Sequence, residues 1–277
     1  MGIAILCAAY LYQNSQEGAT TVATDAETNK PTVTVKEDKN KPFDYLPTTN
    51  RGKIVQHKHF VLSYVEEHEQ AEWVAYELTR EEVKKKVASR ENERFTEDPL
   101  VRTGSATFED YINSGYDRGH LAPAGDMRFS QEAMTECFYM SNVSPQDKEF
   151  NKEIWRLLEE QVRAWAVKYE RIYVVTGPVL DKKLPKIGRK NKISVPKYFY
   201  KVILDYQEPE FKAIAFLMEN KNASLPLTRY VVSIDAIEKL TGIDFFPHLP
   251  DELENVLEAS SESSAWKFER WNFKRKN

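Results

Sequence analysis

Only two cysteines, Cys7 and Cys137, occur in 277 residues. That number excludes a disulfide framework and a four-thiolate zinc site. Cys7 lies in an apolar stretch where pairing with Cys137 has no support, so cysteine usage leaves the cellular compartment open. The apolar stretch itself, residues 2–12, is too short to span a bilayer, which needs roughly 20 residues. It also lacks the positive start of a signal peptide, and no Arg-rich transit peptide accompanies it, which weighs against a mitochondrial address. Two readings stay open for it: the end of a membrane anchor or export signal, or a frayed hydrophobic terminus. The first makes the protein extracytoplasmic, whether periplasmic, secreted or membrane-anchored, with a tether at the N-terminus. No internal repeat occurs. An excess of positive charge is missing too: the formal net charge is -4. This does not advertise a nucleic-acid partner, but binding depends on where the basic residues sit rather than on their sum.

What is present is a soluble globular composition, 41% hydrophobic and 30% charged, in a chain long enough for one large domain or two ordinary ones. Residues 13–50 are rich in Thr, Asn, Asp, Glu, Lys and Pro with little periodicity, and read as a disordered linker. Residues 51–250 read as the domain, and residues 251–277 as an acidic and then basic tail. The tail mixes aromatics with bases near Trp266; it is expected to dock back on the domain rather than to stack on nucleic-acid bases. Residues 59–65 and 72–78 carry β-branched and aromatic side chains and predict a hairpin. His57 and His59 read as strand surface, because no nearby Cys, Asp or Glu completes a metal site. Ser130 caps a short helix through Met134, residues 138–141 read as a strand, and residues 150–169 as a helix whose core stripe is Ile154, Leu158, Val162 and Trp165. Further strands are expected over 171–178, 198–205 and 211–218, and a capped helix over 233–242. The fold class is α+β, an antiparallel central sheet with helices on its faces.

The chemistry concentrates in two segments. The first is Gly115-Tyr-Asp-Arg-Gly-His-Leu-Ala-Pro-Ala-Gly-Asp126, within which Asp117-Arg118-Gly119-His120 sets a fixed cation beside a titratable base. An arginine can neutralise a phosphate through forked, charge-assisted contacts, and a histidine can take a proton from water near neutral pH. The second contains Ser141-Asn142-Val143-Ser144-Pro145-Gln146, then Asn151, Trp155 and Glu159. In a regular helix Asn151 and Glu159 lie about 80° apart around the axis, so both can face one groove. Residues 181–201 hold eight Lys or Arg against one Asp, a local excess of +7 that suits a polyanion.

Together these segments resemble the DNA/RNA non-specific endonucleases, the ββα-metal nucleases. The resemblance runs over roughly residues 55–250. It implies a ββα-metal finger built into a mixed, mostly antiparallel central sheet with flanking helices. It implies a metal-dependent hydrolase that cuts DNA and RNA, with Mg2+ as its ion and Mn2+ as an alternative, and 5′-phosphate and 3′-hydroxyl products. By the same resemblance His120 is the general base, Arg118 the arginine on the phosphate and Asn142 the residue that supports histidine and phosphate. Asn151 is the metal ligand, and Glu159 the acid that holds the metal's water shell. Arg90 and Arg94 both match an arginine that binds phosphate before an Asp-Pro pair, here Asp98-Pro99, and the spacing does not choose between them. Lys190 and Lys192 of the basic loop are added as substrate-binding candidates. Asp117 is expected to hold the loop or the Arg118 side chain. A homodimer is compatible with the sequence and not decided by it. Two competing readings are a binding module that has lost activity, and a phosphodiesterase of another substrate class.

Overall fold

Stretches of β-branched and aromatic residues separated by short turns build the sheet. In the computed structural model, which describes residues 43–269, β1 (Lys53–Gln56), β2 (Val61–Val65) and β3 (Gln70–Thr79) pair antiparallel in succession. The hairpin read from the sequence is thus present as β2 and β3, with β1 added at its edge. Thr79 ends β3 and caps α1 (Arg80–Lys84) through a capping box with Glu82. Next come β4 (Asp117–His120), α2 (Gln131–Cys137) and β5 (Val143–Gln146). Ser130 caps α2 by accepting from the Ala133 N–H at 3.4 Å. After a helical run ending in α3 (Arg156–Tyr169), the chain forms β6 (Arg171–Pro178) and a small hairpin of β7 (Lys186–Ile187) and β8 (Ile193–Ser194). Then follow β9 (Tyr198–Asp205), β10 (Lys212–Glu219) and β11 (Val231–Val232). Seven strands make one sheet in the order β1-β2-β3-β6-β9-β10-β11, every neighbouring pair antiparallel. β4 and β5 pair apart from it.

α4 (Ile234–Thr241) begins at a Ser233 cap and stops at Gly242, whose φ of 71° is the left-handed conformation that a helix end favours glycine for. α5 (Asp251–Ala259) packs beside it. The helical run that ends in α3 buries its predicted stripe: Ile154 in the turn before α3, then Leu158, Val162 and Trp165 within it, are all buried. Residues 43–50, expected to be part of the disordered linker, instead pack on the domain, since Tyr45 stacks on Tyr173 at 4.9 Å and the Thr48 N–H donates to the Asp244 carbonyl at 2.9 Å. Residues 1–42, with the expected tether, fall outside the described residues. Among the described residues no helix is long and apolar enough to cross a membrane.

Two local expectations fail. Residues 138–141 form no strand; Met140–Asn142 is a 3-10 turn. Phe138 and Met140 are buried there as a strand's apolar residues would be, but the Asn142 side chain bonds back to the Cys137 carbonyl and curls the chain. His57 is not strand surface either. It is buried, and its Nε2 lies 2.9 Å from Asp98 Oδ2, a partner too far along the chain for local spacing to reveal.

The docking expected of the C-terminal segment is present up to Glu269. Trp266 is 2% exposed, meets Trp165 edge-on at 4.7 Å and donates its indole N–H to the Ala213 carbonyl at 3.2 Å. Replacing a buried tryptophan by alanine removes that packing and leaves a cavity, so Trp266→Ala should lower unfolding free energy by about 3–5 kcal/mol. Denaturant titration would measure it, and a change within 1 kcal/mol would show that the segment only rests on the surface.

Candidate active site

Asp117-Arg118-Gly119-His120 is itself β4, and its pairing with β5 sets Asp117 opposite Gln146, Arg118 opposite Pro145, Gly119 opposite Ser144 and His120 opposite Val143. Glycine is needed between the two functional residues. A Cβ at 119 would come within 2.5 Å of three side-chain atoms of Gln146, which is itself fully buried and has nowhere to go. Directly after β5, the Asp147 carboxylate accepts from the N–H groups of Glu149 and Phe150 and starts the helix. Strand, strand and helix thus form one unit, from which residues 121–142 loop out.

That loop is closed by Asn142. Fully buried, its Oδ1 accepts from the Ala122 N–H at 2.8 Å, while Nδ2 donates to the carbonyls of Ala122 at 2.9 Å and Cys137 at 2.8 Å. Beside it, Ser141 Oγ donates to Asp98 at 2.5 Å, and Asp98 also holds His57. The Asn142 amide is therefore committed to backbone, that of Cys137 and of Ala122, two residues after His120.

The helix after β5 is not regular. A single turn, Lys148–Phe150, passes into a π-helical turn, Asn151–Trp155, and then into α3. Turns of this kind occur mostly as single insertions and often at functional sites. The wide turn absorbs an extra residue, so eight steps sweep roughly the angle of seven, about 20° short of two full turns. Asn151 and Glu159 come nearer to one line along the helix than the 80° expected without it. Asn151 Nδ2 donates to Asp117 Oδ2 at 3.2 Å. The amide nitrogen faces a carboxylate, so its carbonyl oxygen is turned away and left as a hard ligand. This fits an ion that keeps most of its waters and takes few protein ligands. Asp117 thus serves Asn151; of the two roles expected of it, holding the loop or the Arg118 side chain, the second is not seen among the described residues.

His120 packs among aromatic rings, Phe95 at 5.2 Å and Phe138 at 5.0 Å, and its Nε2 is shielded from solvent with no partner in the protein. Burial, aided by the positive charge of Arg90, pushes its pKa down to about 3, so the ring is neutral at physiological pH. The guanidinium of Arg118 lies over Phe108 at 4.5 Å and Phe95 at 5.2 Å. Its Nε is buried and unbonded, and no carboxylate pairs with it among the described residues. A cation held by ring faces rather than by an anion is free for a phosphate. Arg90 lies over the Phe138 ring at 5.7 Å, which brings it to the histidine; Arg94 is exposed and has no such contact.

Glu159 sits above a buried set of charges. Burial pushes its carboxyl up, against the charges of Lys201 and Arg163. Lys201 is fully buried, donates to Thr176 Oγ1 at 2.5 Å and lies over the Trp155 ring at 5.0 Å. Arg163 pairs with buried Asp126 at 2.7 Å, and Asp126 also accepts from the Tyr76 hydroxyl at 2.7 Å. Lys201 was counted above with the basic loop. The structure removes it from that surface, because β9 is a central strand buried along its length from Phe199 to Asp205. Lys190 and Lys192 remain exposed on the β7–β8 hairpin. That hairpin is tied to the site by Asp110, which accepts from the N–H groups of Lys190 and Asn191 at 3.3 Å and from Asn191 Nδ2 at 2.8 Å. Asp110 belongs to the 3-10 turn Phe108–Tyr111, whose first ring covers Arg118. Sequence reasoning missed Lys201, Arg163 and the Asp117–Asn151 bond; their partners come from strands and helices far along the chain.

The profile of the DNA/RNA non-specific endonuclease family matches residues 44–252. Nuclease C1 of Cunninghamella echinulata var. echinulata is 36% identical over 220 residues, covering 73% of this chain and 86% of that protein. Human mitochondrial endonuclease G is 33% identical over 210 residues, 72% of this chain and 71% of that protein. The mitochondrial nuclease EXOG of Danio rerio is 36% identical over 204 residues, 68% of this chain; the chain spans only 59% of that relative's length. In three dimensions a chain of the EndoG/EndoGI complex, solved to describe EndoG inhibition, is similar with a TM-score of 0.67 and 33% identity, over 71% of this chain and 86% of that one. The fold, an α+β domain on a seven-stranded antiparallel sheet, is the one expected. With the strand–strand–helix unit and these matches in hand, the chain belongs to the DNA/RNA non-specific endonuclease family.

Proposed function

We propose that the protein is a metal-dependent, sugar-non-specific endonuclease that hydrolyses phosphodiester bonds of DNA and RNA to 5′-phosphate and 3′-hydroxyl ends. The hydrogen bond from Asn151 Nδ2 to Asp117 Oδ2 carries this reading, since it turns the oxygen of a half-buried amide away from Asp117, which shares its strand with a neutral, ring-packed histidine. Mg2+, with Mn2+ as an alternative, is the ion that suits a single oxygen ligand; when bound it would neutralise charge on the phosphate and the leaving oxygen. His120 Nε2 takes a proton from the attacking water, whose oxygen bonds to phosphorus as the P–O3′ bond breaks, and the leaving O3′ takes a proton from solvent water to become the 3′-hydroxyl. Arg118 stabilises the charge that grows on the equatorial oxygens, in a low-dielectric setting that strengthens the contact. Glu159 orients water near Asn151 from the next turns of the helix. Asn142 acts by positioning the His120 loop. Arg90, rather than Arg94, supplies the second phosphate contact, and Lys190 and Lys192 steer the backbone of the polyanion.

His120→Ala should lower cutting of both supercoiled plasmid and RNA by at least ~10²-fold with folding retained, and a chelator should abolish it. A variant that cuts at the parent rate would remove His120 from the role. Asp117→Ala frees the Asn151 amide to turn, so half-maximal activity should require about 10–100-fold more Mg2+; an unchanged requirement would limit Asp117 to holding the strand.

The pH profile follows from the burial of His120. The imidazole acts as base when neutral, that is above its pKa, and a pKa pushed down to about 3 keeps it neutral from pH 5 upward. The rise through 6.5 that an ordinary histidine would give is therefore absent. An acid limb above pH 5 belongs to Glu159, whose carboxyl is pushed up by burial. Glu159→Gln should reduce turnover and flatten that limb, whereas a limb that persists in the variant would return the titration to His120.

A further inference from the structure

α4 and α5 pack against each other, and the faces that meet are acidic. Asp235 and Glu238 stand three residues apart on α4, Glu254 and Glu258 four apart on α5, so each pair shares a helix face. Asp244 joins them from the connecting loop. Carboxylate oxygens of Asp235, Glu238 and Glu258 lie within 4.8 Å of one another, as do those of Asp244, Glu254 and Glu258. Glu258 belongs to both groups.

The environment of Glu258 works against its charge at every point. The residue is 8% exposed, and its Oε1 is closed to solvent with no hydrogen-bond partner. No cation pairs with it among the described residues. It lies in the last turn of α5, the negative end of the helix dipole. Burial and then the charges of Glu238, Glu254, Asp244 and Asp235 push its pKa up to about 8. A buried carboxylate is normally paired, hydrogen-bonded or bound to a metal. Glu238, in contrast, is already oriented, its Oε1 accepting from the Phe245 N–H at 2.9 Å.

We propose that Glu258, with Asp235, Glu238, Asp244 and Glu254, binds one divalent cation of the calcium class between α4 and α5. The donor set is oxygen alone, without the imidazole or thiolate that zinc prefers. Carboxylates drawn from two helices and a loop suit an ion that takes six to eight oxygens in flexible geometry better than they suit the strict octahedron of magnesium. None of the five residues belongs to the strand–strand–helix unit, so the ion would tie the two helices together rather than enter the reaction.

The test melts the full chain in chelator and in rising calcium, beside Asn151→Ala and Glu258→Gln. Calcium at a hundredfold excess over its Kd should raise Tm by about 5–10 °C in the parent and in Asn151→Ala, and by nothing in Glu258→Gln. In chelator Glu258→Gln should melt no lower than the parent, because the amide replaces a buried carboxyl that has no partner there. A parent without a calcium shift would mean a neutral Glu258 that binds nothing, and would overturn the site. A shift lost in Asn151→Ala but kept in Glu258→Gln would overturn it as well, by moving the ion to the finger. Should Glu258→Gln fail to fold, the double variant Asp235→Asn, Glu254→Gln at more accessible positions replaces it, with calcium displacing bound terbium at least tenfold less tightly. An unchanged terbium affinity in that variant would count against the proposal.

Discussion

The three hydrogen bonds of the Asn142 side chain to the backbone of Ala122 and Cys137 hold both ends of the excursion between β4 and β5, and the geometry of the finger depends on them. Each closes a buried donor or acceptor that would cost about 1–3 kcal/mol if left unmade. With the ends joined, the ladder continues past His120 through the Leu121 N–H to the Asn142 carbonyl at 2.9 Å. The register of β4 on β5 then decides everything downstream. It sets Asp117 across from Gln146, five residues before Asn151, close enough for the carboxylate to turn the Asn151 amide. The buried His57–Asp98–Ser141 contacts brace the same turn from behind.

Around this frame the protein separates a dry half from a wet half. Phe95, Phe108 and Phe138 surround His120 and Arg118, which shields the imidazole from water and leaves the guanidinium on ring faces without an anion. Asn151 and Asp117 stay half-buried, where a hydrated ion could be accommodated. Below Glu159, Lys201 and Arg163 set two cations against the carboxylates of Glu159 and Asp126 in the core. Such a set contributes little net stability, because desolvation offsets the attraction. Its effect is on position: a charge held by several partners has few places to go.

The metal-binding reading of α4 and α5 has the opposite electrostatics. There the charges that act on Glu258 are all acidic, and it lacks the counter-charges that Lys201 and Arg163 supply to Glu159. The two arrangements show why an acidic residue's surroundings matter more than its burial. A carboxylate among cations is a positioned group, whereas a carboxylate among carboxylates calls for a ligand or a proton.

Periodicity and short spacing were enough to find the β2–β3 hairpin, the stripe of α3, the Ser130 and Ser233 caps and the Gly242 stop, because each is written within one or two turns of chain. The intervals from Asn142 to Asn151 and from Asn151 to Glu159 are nearly as short, and with the Asp117–His120 string they carried the resemblance to the family. The rest needed the fold. Asp98 reaches His57 across 41 residues, and Asp117 reaches Asn151 across 34. Whether a lysine is surface or core, as between Lys192 and Lys201, depends on which strand carries it and which way that strand faces. Local sequence determined what the elements are and where the reactive residue types lie. Only tertiary packing decided their partners, because burial and charge neighbours are set by segments that meet from distant parts of the chain.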